Sequence, residues 1–424
     1  MKKTISVVCV MMMFSAWAAA QSSAAAVSTD PSPAARSVAA AQEAIREKPT
    51  EYVAYNLLAM ALVRRAQVTS DASLYAQAED AVRKSLTIAP NNFETQKIQV
   101  SILLGEHDYP AALQAAQALN QRALDDVMVY GLLTDANVEL GNYGDAEDSA
   151  QWMLNLRPGN RPALIRAAGL RDLFGDPEGA YELLELAYQS TPPAETEERA
   201  RILSQMGHLR LASGSAEAAE KLLQQALTSF PSYPSALGAL AEVRIMQKRY
   251  ADAVDFLSQR HQAAPRAETL YDLAEGLELA GRETEARKAF ADFETKALAE
   301  STRKDNSNRE LVFYYADHTH QPVRALDVAR QEYAWRRDIR TLDAYAWALH
   351  VNGQDAEARQ QIEKALAVGI RDSKIFAHAG EIALKLGDRV AAQDYLQKAV
   401  ALHTIGSEHA QLVLDQVLRP NALH

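Results

Sequence analysis

An alanine recurs along this chain at a nearly fixed interval, and no other sequence feature constrains the fold as strongly. The ten alanines are separated by 34, 34, 34, 39, 34, 33, 39, 33 and 34 residues. They are Ala78, Ala112, Ala146, Ala180, Ala219, Ala253, Ala286, Ala325, Ala358 and Ala392. A period near 34 predicts an array of similar units, each packed on its neighbours, in place of a single globular core.

Each unit has the punctuation of two helices. Several alanines follow a glycine by five residues, as in Gly214, Gly281, Gly353 and Gly387, and glycine commonly ends a helix because it tolerates positive φ. Several units close with a proline, which stops the second helix. These prolines are Pro90, Pro158, Pro192, Pro231 and Pro265. With only 7% aromatic residues and abundant alanine, the composition also favours helices.

The pattern resembles the tetratricopeptide repeat (TPR), a pair of helices that cross closely at small residues while large apolar residues fill the adjacent space. The fifth unit matches with Leu203, Gly207, Ala219, Leu223, Ala226 and Pro231. The resemblance implies an all-α, right-handed superhelical solenoid of about ten helix-turn-helix repeats over residues 51–405. We expect a half repeat before it, at 37–50, and a capping helix and tail after it, at 406–424.

Two intervals depart from the period by five extra residues. One insertion falls near the segment TPPAETEE and the other near ESTRKDNSNRE. The second is polar and charged, which indicates a longer loop or a helix extension. The sequence leaves open whether the insertions shape a site or only adjust the curvature of the solenoid.

The N-terminal residues are predicted to be a targeting segment outside the fold. A basic start, a short apolar stretch and Ala18-Ala19-Ala20 indicate a secretory signal peptide at residues 1–20, followed by a flexible leader at 21–36. The single cysteine, Cys9, lies within the apolar stretch, so the mature chain would have no thiol chemistry. We therefore expect export to the periplasm or secretion, with no stable membrane insertion after cleavage.

The charge balance narrows the class of partner. The chain carries a formal net charge of −11, and removing Lys2 and Lys3 with the signal peptide would make it −13. Nucleic acid binding needs a basic surface, so nucleic acid is excluded as an expected partner. Basic proteins or peptides, or neutral partners, stay possible.

Motifs of enzyme chemistry are missing from the sequence. It contains no nucleophile elbow, phosphate-binding loop, dinucleotide fingerprint or zinc-protease motif. The segment DHTH, with Asp317, His318 and His320, offers a few possible metal ligands without a supporting shell, and we interpret it as a helix end and turn. We expect no enzyme activity, no cofactor and no metal site.

The resemblance places a binding surface on the concave face, which the first helix of each TPR unit lines. In units seven to nine the corresponding residues are Tyr271, Glu275, Glu278, Glu310, Tyr314, Asp317, Asp343, Trp347 and His350. Within each helix their spacing of i, i+4 and i+7 puts the trio on one face. Together they predict an acidic surface with three large aromatic residues, suited to an extended peptide that carries Lys or Arg.

The sequence therefore predicts a non-catalytic scaffold or adaptor of the bacterial cell envelope that binds a protein or peptide. An alternative is an accessory role in polysaccharide secretion, since the same aromatic residues could stack on sugar rings. A plainer interpretation also stays open, in which the inner face is only solvated and its aromatic residues pack between units. The sequence does not determine the oligomeric state.

Overall fold

The computed structural model describes residues 32–418, which form 22 α-helices and one π-helical segment. The helices are α1 Pro33–Glu47, α2 Tyr52–Thr69, α3 Ser73–Ile88, α4 Phe93–Gly105, α5 Tyr109–Asn120, α6 Val127–Glu139, α7 Tyr143–Leu156, α8 Arg161–Leu173, α9 Pro177–Gln189, α10 Thr196–Ala212, α11 Ala216–Ser229, α12 Pro234–Met246, α13 Tyr250–Ala263, α14 Ala267–Leu279, α15 Glu283–Glu300, α16 Asn308–Phe313, α17 Pro322–Trp335, α18 Ile339–Val351, α19 Asp355–Leu366, α20 Ser373–Lys385, α21 Arg389–Ala401 and α22 Ser407–Leu418. The π-helical segment, Tyr314–His318, continues α16.

Helices α2 to α21 form ten consecutive pairs, which confirms the predicted all-α solenoid. Each recurring alanine lies in the second helix of its pair, and none of the ten is more than 3% exposed. Small residues are required at the helix crossings because side chains of the paired helix lie close to them. A Cβ added to Gly207 would lie 2.8 Å from the Leu223 side chain, and one added to Gly380 would lie 2.6 Å from Leu396. These short distances are the reason that large side chains are kept from the crossings.

Both insertions lengthen a helix. α10 has 17 residues and α15 has 18, against 13 or 14 for helices α11 to α14 between them. The extra turn of α10 carries Glu197, which is 1% exposed and accepts hydrogen bonds from the backbone N–H of Ala34 at 3.0 and 3.1 Å. The first insertion thus holds the start of α1, whose positive helix-dipole end favours a carboxylate.

The superhelix closes on itself along a line that we call the seam. The turns inside units two to five, at 106–108, 140–142, 174–176 and 213–215, pack against the turns that follow units seven to ten, at 301–307, 336–338, 367–372 and 402–406. The Arg337 N–H donates to the Glu139 carbonyl at 3.3 Å, and the Ile339 N–H donates to the Tyr143 hydroxyl oxygen at 2.9 Å.

The second insertion supplies part of this seam. Lys304 forms an ion pair with Asp108, and Asp305 accepts from Arg266 at 2.5 Å while lying 3.3 Å from His107. A further ion pair joins Lys248 to Glu408 of α22 at 2.7 Å. The insertions therefore do more than adjust curvature, because each makes a contact between parts of the chain that are distant in sequence.

The chain ends differ in part from the expected boundaries. α1 begins at Pro33, four residues before the predicted half repeat, because Ser32 caps the helix by accepting from the Ala35 N–H and Pro33 suits its first turn. The predicted signal peptide and residues 21–31 of the leader lie outside the described residues, as do 419–424. Among the helices of residues 32–418, none is both long and apolar enough to cross a membrane.

Candidate binding surface

Four of the predicted residues form an accessible group of carboxylates, which we call the acidic strip. Glu275 and Glu278 project from α14 with 43% and 56% of their side chains exposed. Asp317, in the π-helical segment, is exposed, and Glu310 of α16 is partly exposed. These carboxylates come from two neighbouring units, and each keeps part of its side chain exposed.

The two predicted tyrosines are not surface anchors, which corrects the sequence expectation. Tyr271 is 4% exposed and Tyr314 is 8% exposed. Both pack on Phe290 and Phe293 of α15, with ring centroids 5.1 to 5.9 Å apart. The rings fill the space between two units, so their apolar area is already buried in the core.

The π-helical segment changes which residues face the strip. The Thr319 N–H donates to the Tyr314 carbonyl at 3.1 Å, five residues back, in place of the four-residue step of an α-helix. The added residue rotates the end of the helix, so the expected i, i+4, i+7 spacing no longer holds. As a result His318 packs over Phe290, with ring centroids 4.3 Å apart, and approaches α14.

His318, which the sequence analysis interpreted as part of a helix end and turn, is a further functional candidate on this face. Its Nδ1 lies 3.3 Å from Glu278 and its Nε2 lies 3.8 Å from Glu275. Burial lowers the pKa of His318, but the carboxylates of Glu275 and Glu278 outweigh burial and raise that pKa. Burial likewise raises the pKa of Glu275, whereas His318 and Lys374 lower it overall. The histidine thus sets how much negative charge the strip presents.

Trp347 is half-buried and already has partners. Its indole N–H donates to Asp317 at 2.7 Å, and its ring stacks on His378 with centroids 4.2 Å apart. This bond joins the surface of unit nine to the acidic strip. The exposed part of the indole is left as the one aromatic surface that the nine predicted residues offer near the strip.

Asp343 and His350 do not contribute as expected. Asp343 is 4% exposed and lies 2.7 Å from Nδ1 of His378, an interaction with α20 that occupies it. His350 Nδ1 lies 2.6 Å from Asp355 at the start of α19. Both side chains therefore stabilise contacts with the following helices. Within residues 32–418, no group of three or more His, Cys, Asp or Glu side chains is placed to hold a metal ion.

A second concave surface lines the inside of units one to five. A cavity of about 1080 Å³ runs along their first helices, with Met60 and Met128 50% and 38% exposed. Its charges are largely paired internally: Arg166 donates to both carboxylate oxygens of Asp135 at 2.8 and 2.6 Å. This surface has mixed charge, unlike the acidic strip, and no sequence motif indicated it.

Part of the chain matches a known repeat family directly. Residues 210–273, from the end of α10 to the first half of α14, match a family model of the tetratricopeptide repeat. The same alanine spacing and helix pairing extend from α2 to α21. Residues 210–273 are therefore similar to the tetratricopeptide repeat, and the rest of the solenoid has the same helix pairing. A search of curated proteins gives no match by sequence.

Several solved structures are similar to this chain at low sequence identity. The human IFIT1 dimer with m7Gppp-AAAA matches with a TM-score of 0.50 at 14% identity, over 87% of this chain and 85% of that chain. The anaphase-promoting complex (APC/C) hetero-tetramer Cut9–Hcn1 matches with a TM-score of 0.45 at 14% identity, over 81% of this chain and 55% of that one. PilW, a type IV pilus biogenesis factor, matches with a TM-score of 0.42 at 15% identity, over 49% of this chain and 94% of PilW. At these identities the likeness concerns the fold alone.

Proposed function

We propose that this protein is a non-catalytic interaction scaffold that binds a basic segment of a partner protein on the acidic strip. The observation that carries the proposal is the shared surface of Glu275, Glu278 and Asp317, all substantially exposed on neighbouring units. Charged groups of one sign on a concave surface steer and orient a partner of opposite charge. Trp347 at the edge adds a surface for a cationic or apolar side chain.

The burial of Tyr271 and Tyr314 supports a protein partner over a glycan. Stacking on sugar rings needs accessible aromatic faces, and these two rings are in the core. The fold shared with IFIT1 does not carry over the m7Gppp-AAAA ligand of that structure, because a net charge of −11 opposes binding of a polyanion.

The proposal includes export to the cell envelope, where the protein would act in the periplasm or after secretion. Its support is the N-terminal pattern of a basic start, an apolar stretch and a small-residue cleavage site in residues 1–20. Envelope fractionation with an antibody to the chain tests this part, and N-terminal sequencing of the processed protein tests cleavage before Gln21. Accumulation of the unprocessed protein in the cytoplasm would contradict it.

The binding test uses fluorescence anisotropy with a short peptide rich in Lys and Arg, and a second peptide in which Gln replaces every cation. We expect the variant Glu275→Gln/Glu278→Gln/Asp317→Asn to bind the basic peptide at least about tenfold more weakly, a loss of roughly 1.4 kcal/mol. The matched control removes three exposed carboxylates elsewhere, with Glu283→Gln/Asp292→Asn/Glu363→Gln. Equal binding by both variants would contradict the proposed site.

A pH series sharpens this test. Protonated His318 neutralises part of the strip, and the raised pKa means that the proton is lost only as the pH rises through that value. Affinity for the basic peptide should therefore increase as the pH rises through the neutral range, and His318→Asn should remove this increase. An unchanged pH profile in His318→Asn would assign the effect to another group.

A further inference from the structure

A small cavity at the seam has arginines on one wall and tyrosines on the other. It encloses about 370 Å³ between units two to four and units eight and nine, and we call it the seam cavity. Tyr109 and Tyr143 line it from the first side. Arg309, Arg336 and Arg340 line it from the second side. Neither part of the superhelix contains the site alone.

The arginines have more N–H donors than the surrounding residues use. Within residues 32–418, Arg309, whose side chain is 27% exposed, makes one hydrogen bond, from Nη1 to Asp338 at 3.4 Å, although Glu310 and Glu139 are near enough for their charges to act on it. The guanidinium of Arg340 makes no hydrogen bond or ion pair with residues 32–418, although Asp172 is near enough to feel its charge. Each guanidinium offers five donors in a planar fork. Nearly all donors of these two side chains are thus free.

Arg336 adds a third, more deeply buried guanidinium. Its side chain is 3% exposed, with Nε 2.7 Å from Glu332. One Nη2 donor reaches the Lys304 carbonyl at 3.2 Å. The charge of Arg336 is therefore already paired inside the fold, by the carboxylate of Glu332. The donors left for a ligand belong to Arg309 and Arg340.

The carboxylates that line the cavity are already engaged. Asp338 caps α18 by accepting from the backbone N–H groups of Arg340 and Thr341 at 2.9 and 3.3 Å, and from the Thr341 hydroxyl at 2.6 Å. Glu139 accepts a hydrogen bond from Tyr109, and burial, together with the charge of Asp338, raises the pKa of Glu139. The cavity therefore lacks acceptors relative to its donors.

We propose that the seam cavity binds a small-molecule oxyanion, a carboxylate or phosphate group, between the guanidinium groups of Arg309 and Arg340. Planar guanidinium forks match both kinds of group with paired hydrogen bonds. The volume is at the small end of the range for ligand pockets, which suits a compact metabolite-sized anion. This inference does not depend on the acidic strip.

Binding at this place has a structural consequence. The ligand contacts residues on both sides of the seam, so it binds the closed superhelix and not an open one. A ligand that binds only one state shifts the population towards it in proportion to its concentration relative to Kd. The oxyanion would therefore stabilise the closed form and with it the relative placement of the two concave surfaces.

The test is isothermal titration calorimetry of the intact chain with inorganic phosphate, and separately with citrate, at constant ionic strength set by chloride. We expect a single saturable site for at least one of the two anions, and its identity assigns the source as phosphate or carboxylate. The variant Arg340→Gln should weaken that binding about tenfold or more while keeping the fold, since Arg340 is exposed and contributes no described pair. Arg309→Gln should weaken it similarly.

The control variant is Arg359→Gln. Arg359 lies on α19, outside the cavity lining, and pairs with Glu363 and Asp388. This variant should bind the anion as the unmodified protein does. Thermal unfolding separates specific binding from the general stabilising effect of phosphate salts, because only specific binding is lost in Arg340→Gln. No saturable heat with either anion, or equal binding by Arg340→Gln, would overturn the proposal.

Discussion

Six glycines of this protein occupy the same repeat position and the same backbone conformation, yet half of them have a tertiary role that the others lack. Gly141, Gly175 and Gly214 belong to units three to five, and the equivalent residues of units seven, nine and ten are Gly281, Gly353 and Gly387. All six have φ between +71° and +81°. A Cβ added to the first three would lie 2.6, 2.5 and 2.8 Å from a carbonyl oxygen across the seam. The second three have no atom within 4 Å of such a Cβ.

This comparison separates two causes for one residue type. All six turns favour glycine because the left-handed conformation is unfavourable for residues with a Cβ, although the equivalent turns of units two, six and eight adopt it with His107, Lys248 and His320. Gly141, Gly175 and Gly214 are favoured also because another backbone passes within contact distance of each of them. In these three units a turn that satisfies local backbone geometry is therefore also part of the seam.

Substitution by alanine should separate the two causes most clearly. Gly175→Ala should destabilise the protein by roughly 2 to 5 kcal/mol, the sum of backbone strain and overpacking against Gly369. Gly353→Ala should cost only about 1 to 2 kcal/mol, because it adds the strain without the contact. The measurement is the midpoint of thermal unfolding, together with the radius of gyration in solution. Equal losses in the two variants would show that the seam does not close in solution.

The fold could be predicted from the sequence because its information is local. The period of about 34 residues, the alanines at the crossings and the glycine turns all lie within single units, and the alanines are buried as expected. The seam was not predictable in this way. Its ion pair between Asp108 and Lys304 joins residues 196 positions apart, and the only hint was the polar insertion near residue 304.

The candidate site was predicted in part. The carboxylates of α14 are accessible, as the helical spacing predicts. Tyr271 and Glu275 are one turn apart on the same helix, but only Glu275 reaches solvent. Tyr271 instead meets Phe290 and Phe293, two aromatic residues in α15 that could have indicated an inter-unit cluster. The π-helical turn that directs His318 to the strip had no recognisable sequence pattern.

Removing one charge at the seam should have a smaller effect than blocking its backbone contact. Asp305→Asn leaves Arg266 and His107 without their carboxylate, in a site where both members of the Arg266 pair are 22% exposed. We expect a loss of about 1 to 3 kcal/mol, between the values for exposed and buried pairs. Asp292→Asn is the matched control, because its pair with Lys288 lies on the outer surface of α15 and should contribute less than about 0.5 kcal/mol. If Asp305→Asn and Asp292→Asn lower the unfolding midpoint by the same amount, Asp305 is exposed to solvent and does not contribute to the seam.

The smallest expected effect is a dependence of the seam on pH through His107. Burial, with the charges of Arg336 and Arg266, lowers the pKa of His107 to about 4, although Asp305 acts in the opposite direction. An opened seam would return this pKa towards its ordinary value of about 6.5, so the open state takes up a proton first as the pH falls. Closure should therefore weaken by on the order of 1 kcal/mol between pH 6.5 and pH 5.

The measurement is the unfolding midpoint of the unmodified protein and of His107→Gln across this range. The variant should be less stable at pH 8, where it loses only the packing on Tyr109, and the difference should shrink towards pH 5. The free-turn variant Gly353→Ala should keep a constant offset from the unmodified protein over the same range, since no titrating group of the seam touches its turn. A constant offset for His107→Gln as well would mean that the histidine is not shielded from solvent at the seam.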